Sequence, residues 1–160
     1  TGDLCFQTAT FDSTCTADKT ITLANDTGYI SFWNCGTKVP FKLVAAANSR
    51  VRANSGNSTT ANIWNGPVEV QSGKTLKLQT ADASKTLNMS GKITGAGALS
   101  LADNPGTIYL RGTANAWQGG TTIGNSGTVV ASNPGALPGW DTAEKVSVRE
   151  PFTATSVPSV

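Results

Sequence analysis

The sequence predicts an all-β fold, a short right-handed single-stranded parallel β-helix, on three observations. Apolar and polar residues alternate with period 2 in short runs along nearly the whole chain. Gly-bounded units recur at roughly 20 to 30 residues, the spacing of one solenoid coil. The polar character comes from Thr, Ser, Asn and Gly rather than from charge. The chain has 23 Thr and 17 Gly among 160 residues, and 14% of it is charged, against about 25% in an ordinary domain. Thr is β-branched and favours strands, while Gly and Asn supply the turns between them.

The strands follow in order. Ile21-Thr22-Leu23, Ile30-Ser31-Phe32-Trp33 and the run from Val39 to Leu43 alternate first. Val68-Glu69-Val70, Leu76-Lys77-Leu78, Leu87-Asn88-Met89 and Leu99-Ser100-Leu101 come next. Ile108-Tyr109-Leu110, Thr122-Ile123, Thr128-Val129-Val130 and Val146-Ser147-Val148 complete the set. Gly, Asn, Asp, Ser or Pro bounds each run. No stretch holds the i, i+3, i+4 pattern of an amphipathic helix beyond a single turn. Three units carry the repeat: Gly66 to Gly73, Ser90 to Gly97 and Gly120 to Gly127, each followed at once by another strand. A β-sandwich is the runner-up, disfavoured because few two-residue hairpin turns are evident.

The length predicts one domain, 1–160. Residues 1–35 form an expected N-terminal cap carrying Cys5, Cys15 and Cys35. None of these lies in a C-x-x-C pair and there is no His, so no metal site is expected. One disulfide is expected: Cys15–Cys35 places its partners about one coil apart, and Cys5–Cys15 is the alternative. Either suits an extracytoplasmic location. Residues 151–160 read as a last strand or a linker. The chain begins at Thr1 without a signal peptide, as a mature protein or an excised domain would.

A net charge of +2 implies no nucleic-acid partner. No apolar run approaches the ~20 residues that span a bilayer, so no membrane insertion is expected. The lack of His removes Ser-His-Asp and Cys-His nucleophilic machinery. Most Asp residues sit in turn contexts such as Asn25-Asp26-Thr27-Gly28 and Asp103-Asn104-Pro105-Gly106, where Asp bonds its own backbone. The sequence therefore predicts no catalysis and no cofactor.

The four Trp residues carry the remaining information. Ile30 and Phe32 share the inward parity, so Trp33 is expected outside; Ile63 reads as core, which places Trp64 outside as well. Outward Trp suits stacking on the C–H faces of sugar rings. Lys42, Arg50, Arg52 and Lys77 flank apolar residues and are expected in rows on one face, ready to bond hydroxyls. Trp117 reads as structural, and Trp140 as an end cap or a loop-tip contact.

The segment from Gly91 to Leu101, followed by Gly112-Thr113-Ala114-Asn115-Ala116-Trp117-Gln118-Gly119-Gly120-Thr121-Thr122-Ile123, resembles the autotransporter-associated β-strand repeat. That repeat carries a Gly-x-Gly-x-Leu-x-Leu strand and then an Asn-x-aromatic-x-Gly-Gly-Thr-Thr-Ile corner; Trp117 stands where Tyr is usual. The resemblance covers 90–131 and extends loosely to the N-terminal half. It implies a right-handed parallel β-helix in a bacterial surface or secreted setting. In general character the chain is also similar to β-helical carbohydrate-binding modules found beside bacterial xylanases. The expected function is a non-catalytic carbohydrate-binding module. It would bring a covalently linked glycoside hydrolase to polysaccharide, with xylan or another β-glycan favoured. Its site would be Trp33, Trp64, Lys42, Arg50, Arg52 and Lys77. The alternatives are a structural piece of a bacterial surface passenger or adhesin and, more weakly, a small polysaccharide lyase or hydrolase.

Overall fold

The computed structural model describes residues 3–7, 11, 14–33, 35–56, 61–124, 126–139 and 146–148. Among these there are only strands and turns, and no helix. The chain opens with β1 (Asp3–Gln7), β2 (Thr20–Leu23) and β3 (Tyr29–Trp33). A three-strand unit then repeats: β4 (Lys38–Val39), β5 (Lys42–Ala45) and β6 (Ser49–Ala53), then β7 (Ile63–Trp64), β8 (Val68–Val70) and β9 (Thr75–Thr80). Two more units follow: β10 (Thr86–Met89), β11 (Ile93–Gly95) and β12 (Ala98–Leu101), then β13 (Thr107–Leu110), β14 (Ala116–Trp117) and β15 (Thr121–Ile123). The last strands are β16 (Thr128–Ala131) and β17 (Val146–Val148).

From β2 to β16 each strand pairs with the one three places on, β1 pairs with β3 and β15 with β17, and all the pairings are parallel. Three sheets result: a front sheet β1-β3-β6-β9-β12-β15-β17, a second sheet β14-β11-β8-β5-β2 and a third sheet β16-β13-β10-β7-β4. This is a parallel β-solenoid of about five turns, as the recurring Gly-bounded units predict. Side-chain bonds between coils join residues 21 to 27 positions apart, which is the length of a turn.

Period-2 alternation sends one side of each strand inward. Ile30, Val51 and Leu78 stack in register under the front sheet, and Leu43, Val68 and Ile93 under the second, all at most 1% exposed. Each such side chain contributes roughly 1.5–3 kcal/mol by burial. At the N-terminal end the filling is aromatic. The rings of Phe6, Phe32 and Trp64 lie 5.8 to 6.5 Å apart.

Trp64 reverses one expectation. It is fully buried, in the inward column Val39–Trp64–Met89–Leu110, and Ile63 takes the opposite parity beside Lys38 and Asn88. The physical reason is the length of β7. Two consecutive apolar residues show no alternation, so register with Val39 and Met89 decides which points inward.

The corners explain much of the Asn and Gly content. Asn115 accepts from the Ile93 backbone N–H and donates to the Ala136 carbonyl, each at 2.8 Å, and so ties three coils together. Asn88 donates to Ala61 O at 2.9 Å, and Asn62 to Thr86 O at 3.0 Å. Buried backbone groups at a turn need such partners. Gly95, at φ +112°, lies under the preceding coil, where a Cβ would come within 2.1 Å of Val70 O. A side chain there would be both strained and blocked.

The expected disulfide does not form. Cys5, Cys15 and Cys35 are free thiols: Cys5 exposed, Cys15 half-buried and Cys35 buried. Cys35 belongs to the core cluster and its thiol donates to Thr37 O at 3.4 Å. One coil of sequence spacing does not bring Cys15 to it. Residues 1–35 already supply β1, β2 and β3 to the front and second sheets. Trp140 and residues 151–160 lie outside the described residues.

Candidate binding face

The outer side of the front sheet gathers the polar and aromatic residues of interest. Parallel register sets Asp3, Tyr29, Arg50, Lys77, Ser100 and Thr122 in one outward row across the coils. A second row holds Cys5, Ser31, Arg52 and Gln79. Trp33 ends β3 beside Gln7 and is 48% exposed, so its outward reading from the parity of Ile30 and Phe32 holds. It lies four residue steps along the strand from Tyr29, about 13 Å at ~3.3 Å per residue.

Where the second sheet turns into the front sheet, a groove of about 420 Å³ runs over the coils, lined by Asp26, Thr27, Asn48, Arg50, Thr75 and Lys77 among others. Its corner is built as a ladder. The Asn48 N–H donates to Asp26 Oδ1 at 2.9 Å, and the Thr75 N–H donates to Asn48 Oδ1 at 3.0 Å. The side chains that read as turn formers thus fix one coil's corner to the next. The sequence hides this role, because Asp and Asn look the same in any turn.

The two rows differ in how their cations are held. The Arg50 guanidinium lies 4.3 Å from the centroid of the Tyr29 ring. The Tyr29 hydroxyl donates to Asp3, which holds the phenol above its ordinary pKa. Lys77 pairs with Asp103 at 3.0 Å, and Gln79 donates to the Asp103 carbonyl at 3.1 Å. Arg52 has a buried Nε without a hydrogen-bond partner.

Of the six residues predicted to form one site, the structure places Trp33, Arg50, Arg52 and Lys77 on the front sheet. Lys42 lies on the second sheet, paired with Glu69 at 2.8 Å. Trp64 is in the core and cannot meet a ligand. Trp117 is 4% exposed and its indole N–H donates to Thr121 Oγ1 at 2.8 Å, the structural role its corner position predicts. Tyr29, Asp26, Asn48 and Thr75 join the face unannounced by the sequence. Tyr29 alone carried a signal: it shares outward parity with Ser31 and Trp33. Among the described residues no group of three or more acidic or thiol side chains could hold a metal, and no helix is long and apolar enough to cross a membrane.

Fold and face together define a parallel β-solenoid with an aromatic and basic outer sheet. The chain matches no family model, and no curated protein or solved structure matches it significantly.

Proposed function

We propose that this protein is a non-catalytic carbohydrate-binding module that takes an extended polysaccharide, xylan or another β-glycan, on the outer face of its front sheet. The observation that carries this reading is Trp33, a large apolar ring left 48% exposed at the end of β3, on the sheet that also bears Arg50, Arg52 and Lys77. An exposed indole gains from a partner, and the C–H face of a pyranose is a suitable one. The groove beside Arg50 offers both donors and acceptors for hydroxyls. The carboxylate chemistry supports binding over hydrolysis. Glycoside hydrolysis needs two carboxyl groups flanking one cleft, whereas the groove's described lining includes one, Asp26, which already accepts from Asn48.

The module would raise the local concentration of a linked glycoside hydrolase at its substrate, in a secreted or cell-surface bacterial protein. That setting rests on the motif resemblance of 90–131 alone, since no family model matches the chain. Affinity electrophoresis across a panel of soluble polysaccharides tests the reading. Retardation by at least one β-glycan, lost in Trp33→Ala, is the expected result. No retardation by any glycan, or full retardation of Trp33→Ala, would overturn it and favour a structural role in a surface passenger.

A further inference from the structure

The charge arrangement on the front sheet goes one step further and rests on the glycan-binding reading. Each carboxylate among the described residues is already engaged. Asp18 pairs with Lys19, Glu69 with Lys42, Asp82 with Lys85 and Asp103 with Lys77. Asp3 takes the Tyr29 hydroxyl and Asp26 the Asn48 amide. Lys77, on the candidate face, is therefore partly neutralised, whereas Arg50 and Arg52 have no carboxylate partner among the described residues. These two guanidiniums sit on adjacent outward rows of one strand, β6, two residues apart. The Arg50 guanidinium lies over the Tyr29 ring, 4.3 Å from its centroid. A stacked guanidinium loses little further freedom on binding and presents its fork to a planar oxyanion. Arg52, half-buried two residues further along the same strand, adds a second guanidinium beside it.

We infer that Arg50 and Arg52 form a carboxylate-reading subsite, so that the favoured ligand is a uronic-acid-bearing polysaccharide rather than a neutral one. The sugar carboxylate takes the place that Asp and Glu occupy beside the lysines, and the groove over Asn48 and Thr75 receives the neighbouring hydroxyls. Lys42, on another sheet and paired with Glu69, takes no part.

The test is calorimetry with a glucuronic-acid-substituted xylan and with the same xylan after chemical reduction of its carboxyl groups, at low and high salt. Charge-assisted hydrogen bonds set the expected size: a loss of about tenfold or more in affinity on reduction. High salt should weaken binding of the acidic form and leave the reduced form unchanged. Arg50→Ala and Arg52→Ala should lower affinity for the acidic form by more than for the reduced form. Arg50→Lys keeps charge, loses the planar fork and should fall between, with circular dichroism confirming that each variant is folded. Equal affinity for the two xylans overturns the inference and leaves glycan binding standing. Failure of both xylans and of every other glycan overturns the glycan reading, and the subsite with it.

Discussion

Substitution at the two Trp residues of the N-terminal half separates a core indole from a surface one. Trp64 is fully buried, with Phe6 and Phe32 at 6.2 and 6.5 Å and steep interplanar angles. Truncating such a residue to Ala costs about 3–5 kcal/mol, and the two edge-to-face contacts account for ~0.5–1.5 kcal/mol each. Its indole N–H is buried without a partner, a defect of roughly 1–3 kcal/mol that Ala and Phe both remove. Trp64→Ala should therefore fall near the lower end, about 3 kcal/mol. That is a drop of ~6–12 °C in midpoint for a chain of this size. Trp64→Phe keeps an aromatic ring and discards the orphan N–H, so it should stay within about 1.5 kcal/mol of the parent. Trp33→Ala should change stability by no more than ~0.5 kcal/mol. Thermal and urea unfolding followed by far-ultraviolet circular dichroism measures all three. If Trp64→Ala costs less than about 1 kcal/mol, or if Trp33→Ala matches it, the inward assignment of Trp64 is wrong.

Three further outcomes follow from the corners and termini. Asn115→Ala removes the acceptor of the Ile93 N–H and the donor to Ala136 O; each orphaned group costs ~1–3 kcal/mol, and a urea midpoint equal to the parent's would contradict the ladder. Thiol labelling under native conditions should modify exposed Cys5 first and buried Cys35 only on unfolding, and a Cys15–Cys35 linked peptide in non-reducing mass spectrometry would contradict the free thiols. Ser84 donates both its hydroxyl and its backbone N–H to Asp82, and this holds the carboxyl below its ordinary pKa. A depressed folded pKa means that the contribution is present above the unfolded value and lost as pH falls through the folded one. Ser84→Ala should move the Asp82 titration upward toward its ordinary position by NMR, and an unmoved midpoint refutes the assignment.

The fold was legible because its signals repeat. Inward residues recur along many short strands, and the Gly units mark where one coil passes under the next, as the close approach of Gly95 to Val70 shows. Trp33 was legible because β3 is five residues long and Ile30 and Phe32 set its parity. Trp64 was not, because β7 has two residues and both are apolar. The thiols were misread for a related reason: spacing of about one coil says which coil a residue joins, not which way it faces, and Cys35 faces the core. The Asp26–Asn48–Thr75 ladder was invisible because turn preference and inter-coil bonding select the same side chains.

The outward rows have one more consequence. The step from Tyr29 to Arg50 to Lys77 is set by backbone pairing, at the ~4.8 Å between hydrogen-bonded strands, and not by the side chains themselves. The front sheet is thus a graduated scale whose marks can be re-lettered without moving. A substitution at any mark changes what is recognised there, while the pitch at which a polymer must present its groups stays fixed by the coils beneath.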